Sequence, residues 1–299
     1  MSAKNLFRSL LPLLVAVVAG SACEAQELDQ LEELEKEWIQ NVEVTGELSV
    51  KRIYKTGEGV ENKCNSSSGQ GGTVRDGILY RLYHGGACQT FDISDLAHPV
   101  KTGTFKLQST KSTNHSNCAQ SWVEDGDLYL YVAGLRGKCF VERITETGSV
   151  LVQTIVLPAL DIFNGAVGLN IICGDDGNLW LFGSSGSRLY FAKAKRPDLK
   201  MWGYTLGEED ILDFWSEDGY VYAENPTQGG MVYDNLLFML FGNRGAGKHL
   251  AVYDTRTHTR IKDIDLSVVK EEPEDCDMVP QGILVVTNGG SNYYLVRPE

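Results

Sequence analysis

Residues 69–94, GQGGTVRDGILYRLYHGGACQTFDIS, decide the fold because their pattern recurs along the chain. The stretch contains a Gln-led strand, an Asp-Gly turn, an aromatic-rich strand, a Gly-rich turn and a third strand with a Cys. A second copy, NCAQSWVEDGDLYLYVAGLRGKCFVERIT, occupies residues 117–145 and places Cys139 where the first copy has Cys88. Such internal repetition indicates a repeat architecture.

Three further copies occupy residues 170–194, 227–255 and 274–298. The turn centres are 49, 51, 58 and 47 residues apart and fall at Asp76, Asp125, Asp176, Asp234 and Gln281. Asp-Gly, which occurs at the first three centres, accepts the positive φ angles of a two-residue hairpin turn. A period near 50 with about four strands per copy predicts an all-β protein, a single β-propeller of five blades. Residues 217–225, EDGYVYAEN, leave open an inserted hairpin or a degenerate sixth blade.

The ends of the repeat array predict how the ring closes. The last copy stops at its third strand, NYYLVRP, whereas the stretch GELSVKRIY at residues 46–54 precedes the first copy and has no counterpart. We therefore expect an N-terminal strand to pair into the last blade, which leaves no long sheet edge exposed. The propeller domain is predicted to span residues 43–299.

The N-terminus predicts export. Residues 1–25 combine Lys4 and Arg8 with an apolar run and then small residues, the layout of a secretory signal peptide. Cleavage before Cys23 would lipidate that residue and give an outer-membrane or cell-surface lipoprotein, whereas cleavage after Ala25 would give a periplasmic or secreted protein. We expect any membrane contact to be through the lipid anchor alone. Residues 26–42 are predicted to form an acidic amphipathic helix, either a spacer or a cap on the domain.

The net negative charge of the chain limits the kinds of partner it can bind. With 27 Lys and Arg against 40 Asp and Glu, the formal charge is −13, and no basic stripe offsets it. Nucleic acid is therefore excluded as a partner. A neutral, sugar-like or cationic ligand fits better, and we expect a monomer.

The chain also resembles a known group. QGG at residues 70–72 and 228–230, LAVYDTRTHTRIKDIDL at 250–266, EPEDCDM at 272–278 and GILVVTNGGSNYYLV at 282–296 resemble exported bacterial β-propellers, namely Bacteroidetes-type lipoproteins and helveticin-like propellers. The resemblance covers most of residues 65–299. It implies the propeller fold and assigns no reaction.

In a propeller, the residues that begin each innermost strand surround a central funnel, where function is usually found. The predicted ligand-binding positions are mostly amides and are Gln70, His115, Asn117, Gln120, Asn170, Gln228, Glu272 and Glu274. Ser68 and Asp275 are expected on the same rim. Amides offer paired donors and acceptors that suit sugar hydroxyls. Alternatively, these groups only hydrate the channel and satisfy backbone ends.

Glu274 is the predicted polar anchor, and a single Ca²⁺ or Na⁺ could lie near Glu274 and Asp275. No other cofactor is expected, since the histidines show no paired metal-ligand spacing and no calcium loop is present. The alternative for Glu274 is a cap on backbone amides at the strand start.

The residues favour binding over catalysis. A glycosidase needs two carboxylates from different blades, and here the obvious acids share one segment, although Asp210 or Asp213 could assist. The hypotheses are therefore a ligand-binding propeller, a cell-surface docking scaffold, or a glycan-active hydrolase or lyase. Candidates for stacking on a sugar are Trp122, Trp202 and Trp215.

Cysteine positions predict reduced thiols. Cys88 and Cys139 lie in matching strands of adjacent blades, beyond disulfide reach. A disulfide between Cys64 and Cys118, near the starts of adjacent inner strands, is the one pairing that stays open.

Overall fold

The computed structural model describes residues 42–45, 69–96, 99–109, 115–222, 224–243, 245, 247–288 and 293–298. Several predicted features lie outside these ranges: the signal peptide with Cys23, nearly all of the acidic helix, residues 46–54, Cys64 and Ser68. The described part is built from strands arranged in five sheets, with two short 3-10 helices at Asp161–Phe163 and Glu208–Asp210. No helix in these ranges is long and apolar enough to cross a membrane.

The chain begins with strand β1 (Val42–Thr45) and then forms the first three blades in order. The strands of blade 1 are β2 (Gly69–Arg75), β3 (Ile78–Tyr83), β4 (Ala87–Asp92) and β5 (Val100–Lys106). Those of blade 2 are β6 (Cys118–Glu124), β7 (Asp127–Ala133), β8 (Lys138–Thr145) and β9 (Gly148–Val156). Those of blade 3 are β10 (Asn170–Cys173), β11 (Leu179–Ser185), β12 (Arg188–Ala194) and β14 (Ile211–Asp218), with β13 (Gly203–Thr205) between the last two in sequence.

Two more blades complete the ring. The strands of blade 4 are β15 (Thr227–Tyr233), β16 (Leu236–Phe241), β17 (His249–Asp254) and β18 (Thr259–Asp265). Those of blade 5 that follow in sequence are β19 (Pro273–Val279), β20 (Gly282–Thr287) and β21 (Tyr293–Pro298). The prediction of a five-bladed propeller is confirmed. Glu217 and Asp218 end β14, and the described residues between it and β15 form no further strand and so no sixth blade.

Ring closure by the N-terminus is also confirmed. Strand β1 pairs antiparallel with β21, with Val42 opposite Pro298 and Thr45 opposite Leu295. The N-terminal strand is therefore the outermost strand of blade 5. The strand that closes the ring lies just before residues 46–54, the stretch that suggested closure.

Two of the three Asp-Gly pairs form the predicted two-residue hairpin turns. Both residues have positive φ at Asp76-Gly77 (49° and 78°) and at Asp125-Gly126 (52° and 87°). The two-residue prediction at Asp176 is wrong, because the last paired residues are Cys173 and Leu179 and a five-residue loop lies between them. There the Asp176 carboxylate accepts bonds from the Asn178 backbone N–H (3.0 Å) and the Trp180 indole (3.2 Å).

The longest repeat has a structural cause. Between β12 and β14 the chain leaves blade 3, and β13 pairs in parallel with β9 at the outer edge of blade 2. Gly203 lies opposite Thr154 and Thr205 opposite Val156. Blade 2 therefore has five strands, and the detour accounts for the 58-residue spacing.

Apolar layers between neighbouring blades form the core. Each layer combines inward-facing residues of two sheets, as with Phe191 of blade 3 against Tyr253 of blade 4, whose ring centroids are 4.7 Å apart. Burial of these layers supplies the main favourable free energy of the fold. It also positions the five innermost strands, β2, β6, β10, β15 and β19, around the axis. We call the face where these strands begin the upper face.

The thiols are reduced, as predicted. Cys88 and Cys139 are free and fully buried. The possible pairing of Cys64 with Cys118 involves a residue outside the described ranges. Cys118 is a free buried thiol whose Sγ lies 2.9 Å from the Gly230 carbonyl oxygen.

Candidate functional site

The glycines of the two QGG motifs allow close packing at the axis. A Cβ on Gly71 would lie 2.7 Å from the Ser116 carbonyl oxygen and 3.0 Å from Asp275 Oδ2. A Cβ on Gly229 would lie 2.5 Å from the Glu274 carbonyl oxygen and 2.6 Å from Asp275 Oδ1. The motif that marked the blades is thus explained by packing around Asp275.

Asp275 fills the axis beneath the upper face. Its side chain is fully buried. Oδ2 accepts bonds from the backbone N–H groups of Gly72 (3.0 Å) and Ala119 (2.9 Å), and Oδ1 accepts from Cys276 N–H (3.0 Å) and lies 3.3 Å from Cys118 Sγ. Burial raises the pKa of Asp275 to about 8, although these hydrogen bonds act in the opposite direction. Asp275 therefore joins blades 1, 2 and 5 and does not face the solvent as a rim residue.

A second polar layer lies further down the axis. Asp277 accepts bonds from the Thr73 hydroxyl (2.5 Å) and the Val74 N–H (2.6 Å), and Ser121 N–H donates to Thr73 Oγ1 (3.1 Å). Burial raises the pKa of Asp277 to about 6. This layer again connects blades 5, 1 and 2.

Gln120 also belongs to the interior. Its Nε2 donates to the Val232 carbonyl oxygen (2.7 Å), and its Oε1 accepts from Val232 N–H (3.1 Å). The side chain thus links blade 2 directly to blade 4 across the axis. Gln120 is 6% exposed and is not brought to the mouth with the other predicted site residues.

Four of the predicted residues form one chain of hydrogen bonds across the upper face. Asn117 Nδ2 donates to Asn170 Oδ1 (3.1 Å), and Asn170 Nδ2 donates to the Gln228 carbonyl oxygen (3.0 Å). Gln228 Nε2 donates to Glu272 Oε1 (3.0 Å) and to the Gly242 carbonyl oxygen (2.9 Å). We call Asn117, Asn170, Gln228 and Glu272 the upper chain. It connects blades 2, 3 and 4 to the segment that enters blade 5.

Exposure differs along the upper chain. Asn170 and Gln228 are buried, whereas Asn117 and Glu272 are half-buried. Its two ends therefore reach solvent, one as an amide and the other as a carboxylate. Such a pair offers both donors and acceptors to a ligand.

Glu274 lies below this chain and is 3% exposed. Burial, and next the carboxylate of Glu272, raise its pKa to about 8, while Arg81 and a hydrogen bond with Asn288 lower it. A buried group of this kind fits a structural role better than that of an exposed anchor. The Ca²⁺ or Na⁺ near Glu274 and Asp275 stays a prediction, and the Asp275 oxygens already accept backbone N–H groups. In the described ranges, no three His, Cys, Asp or Glu side chains are grouped to hold a metal ion.

Arg81 is a site residue that sequence reasoning missed. Its guanidinium is fully buried and donates to the carbonyl oxygens of Gln70, Gly71 (3.0 Å) and Thr287. Gln70 itself is 3% exposed. The available signal was a lone arginine within the apolar strand β3. Such a charge must find backbone partners when it is buried.

Two histidines lie on the same face. His84 follows β3, and its Nδ1 is 2.6 Å from Nδ1 of His115, with the rings nearly perpendicular. Both side chains are half-buried. Burial, and next His84, lower the pKa of His115, so the pair resists full protonation.

The three tryptophans considered for sugar stacking lie elsewhere. Trp122 is near the lower end of β6 beneath the Arg196 guanidinium, 5.2 Å from its ring centroid. Trp215 is buried and stacked between Phe191 and His258. Trp202 is 67% exposed beside β13, at the outer edge of blade 2.

The carboxylates considered for catalysis are also separated from the upper chain. Asp210 precedes β14 at its lower end and accepts bonds from the Tyr204 hydroxyl (2.7 Å) and Gly207 N–H (2.9 Å). Asp213 lies in the outer strand of blade 3 and contacts His258 (2.7 Å). These positions provide no second carboxylate opposite Glu272.

Comparison with known proteins supports the fold class alone. No family model and no curated protein sequence matches the chain. A tail fibre of Staphylococcus aureus phage P68 is similar at a TM-score of 0.51 and 12% identity, over 90% of this chain and 56% of that chain. This chain therefore spans about half of that structure. A mitotic checkpoint complex structure matches at a TM-score of 0.37 and 11% identity, over 76% of this chain and 62% of that chain. This similarity is too low to support an inference about the fold.

The chain is thus a five-bladed β-propeller whose ring is closed by its N-terminal strand.

Proposed function

We propose that the protein is an exported β-propeller that binds a small polar or carbohydrate-like ligand at the upper mouth of its axis. The observation that carries this proposal is the upper chain, in which three blades and the segment before β19 present amide and carboxylate groups on one face. The interior below is filled by bonded polar groups, so the ligand would contact the surface of the mouth and would not enter a channel.

The contacting groups are the solvent-reaching ends of the chain, Asn117 and Glu272. Buried Asn170 and Gln228 act as positioning residues, because each fixes its neighbour by a hydrogen bond. Pre-organised polar groups lose little conformational entropy when a ligand binds. The half-buried His115 can add a donor or acceptor at the margin.

The test is a glycan array probed with residues 26–299. Glu272→Gln retains size and an acceptor oxygen but removes the charge, so we expect at least a tenfold loss of binding. Glu146→Gln, an exposed acid of the β8–β9 turn on the opposite face, is the matched control and should bind like wild type. Glu274→Gln should alter stability more than binding. Equal binding by wild type and Glu272→Gln would reject the mouth as the site.

Export and anchoring rest on residues 1–25 and have a separate test. Cys23→Ala should move the protein from the membrane fraction to the soluble fraction if Cys23 is lipidated. Equal partition of the two proteins would contradict lipidation and leave the periplasmic or secreted alternative. The ligand proposal does not depend on this result.

A further inference from the structure

A cleft between the outer parts of blades 3 and 4 lies apart from the mouth. Its volume is about 180 Å³. Its principal lining residues are Leu189, Glu217, Tyr220, Phe241, His249 and Arg260. They come from the end of β14, the connection that follows it, and strands of blades 3 and 4, so the cleft exists only because the two blades pack together.

Arg260 is held in a defined orientation within this cleft. Its Nη2 donates to the Asp263 carboxylate and lies 2.9 Å from His249 Nε2, and Nη1 is 4.0 Å from Glu217 Oε1. The guanidinium also lies over the Phe241 ring, 5.8 Å from its centroid. A planar, oriented guanidinium is suited to bind two neighbouring oxygens at once.

His249 is held as the neutral tautomer that supports this arrangement. Its Nδ1 lies 2.9 Å from the Gly247 carbonyl oxygen and so carries the proton, which leaves Nε2 to accept from Arg260. Burial is the main cause that lowers the pKa of His249. Its ring stacks on Phe241 with centroids 4.5 Å apart. His249 is therefore a positioning residue for Arg260.

Glu217 supplies acceptor oxygens opposite the arginine. The Tyr253 hydroxyl donates to its Oε2 (3.0 Å), and 42% of the side chain is exposed. The cleft thus presents an arginine donor and a carboxylate acceptor 4.0 Å apart. A ligand that carries adjacent hydroxyl groups can use both, because each hydroxyl donates and accepts.

The charge of the lining excludes other ligand classes. It contains the carboxylates of Glu217, Asp218 and Glu224 against the single guanidinium of Arg260. This excess of negative charge disfavours anions. Arg260 only donates hydrogen bonds, so the group that faces it must carry an acceptor oxygen, which a hydroxyl group provides and an ammonium group does not. A neutral ligand meets neither penalty.

The cleft has an apolar floor and a volume that suits one small ring. Leu189, Tyr220 and Phe241 form an apolar floor, and all three are buried. The volume of about 180 Å³ is comparable to the ~150 Å³ cavity that accepts one benzene ring. The cleft therefore has room for one six-membered ring, with its apolar side on the floor and its hydroxyls toward Arg260 and Glu217.

From these features we infer that the cleft between blades 3 and 4 binds a single neutral polyhydroxylated ring, such as a monosaccharide or a terminal sugar of a glycan. The site is separate from the mouth and does not depend on the function proposed there. Arg260 and Glu217 contact the ligand, and His249 orients Arg260.

The test is a saturation-transfer NMR titration of residues 26–299 with glucose, galactose and N-acetylglucosamine, and with glucuronate and glucosamine as anionic and cationic probes. We expect a neutral sugar to bind at millimolar concentration and the two charged sugars to bind more weakly. Arg260→Lys, which loses the planar fork, and Glu217→Gln, which keeps an acceptor for Tyr253, should each weaken binding about tenfold.

Two controls separate the outcomes. Arg143→Lys alters an exposed pair with Asp127 (3.2 Å) in blade 2 and should bind like wild type. Each cleft variant is also measured together with Glu272→Gln, so that binding at the mouth does not contribute to the comparison. Melting temperatures identify any variant that fails to fold. If Arg260→Lys fails to fold, the binding measured for Glu217→Gln tests the inference. The inference is overturned if no neutral sugar binds, if a charged sugar binds more tightly, or if folded Arg260→Lys and Glu217→Gln bind like wild type.

Discussion

The carboxylate of Asp275 in blade 5 accepts a hydrogen bond from the backbone N–H of Ala119 in blade 2, at 2.9 Å. The two residues are 156 positions apart in sequence. Because the same oxygen also accepts from Gly72 of blade 1, one side chain joins three blades at the axis.

Asp275→Ala should strongly destabilise the fold. It removes the acceptor for the buried N–H groups of Gly72, Ala119 and Cys276, and each unsatisfied group costs about 1–3 kcal/mol. We expect a loss of at least about 3 kcal/mol in the free energy of unfolding, measured by urea denaturation. Asp275→Asn keeps one acceptor oxygen and should lose less. Equal losses for the two variants would contradict the role assigned to the acceptor.

Stability should fall as pH rises from 6.5 to 8. The folded-state pKa values of Glu274 and Asp275 are raised to about 8, so the folded protein keeps protons that the unfolded chain has already released. The folded state therefore loses up to about 1.4 kcal/mol per pH unit for each retained proton. Urea midpoints across this range measure the effect.

Asp275→Asn is the control for the pH effect, because it removes one of the two titrating groups and should flatten the slope. The lowered pKa values of His115 and His249 act in the opposite direction, but below about pH 6.5. A wild-type midpoint that stays level or rises between pH 6.5 and 8 would contradict the retained protons on Glu274 and Asp275.

Gly229→Ala should destabilise the protein by steric conflict. The added Cβ would lie 2.5 Å from the Glu274 carbonyl oxygen and 2.6 Å from Asp275 Oδ1. Such overpacking costs about 1–3 kcal/mol. Gly168→Ala is the matched control, because no heavy atom lies within 4 Å of its Cβ. Thermal melts of the two variants compare them, and similar melting temperatures would argue against a tightly packed axis.

Removal of the closing strand should destabilise blade 5. A chain that starts at Gly46 lacks β1 and exposes the edge of β21, whereas a chain that starts at Val42 retains the pairing. We expect the shorter chain to melt lower by at least about 2–4 °C, the equivalent of roughly 1 kcal/mol. Identical melting curves would mean that β1 contributes nothing to closure.

Much of the fold could be predicted because local signals agreed with one another. Asp76-Gly77 and Asp125-Gly126 mark real hairpins, and the period near 50 gives the blade count. The two-residue turn predicted at Asp176 is wrong, because the Asp176 carboxylate accepts hydrogen bonds from Asn178 and Trp180 and so stabilises a longer loop. The excursion of β13 to blade 2 has no local signature, since it depends on contacts between blades.

The site could be predicted only in part. Asn117, Asn170, Gln228 and Glu272 were grouped correctly because residues at the starts of innermost strands must converge. How far below the upper face each of the predicted side chains lies could not be predicted from the sequence. Strand β19 begins at Pro273, so Glu274 and Asp275 are already inside the ring.

The pairing of β1 with β21 has a consequence for synthesis and transport. Strand β1 finds its partner only when β21, more than 240 residues later in the sequence, has been made, so blade 5 cannot be completed before then. Contacts this distant in sequence also form slowly. A chain that is synthesised or transported N-terminus first would thus stay open until β21 arrived.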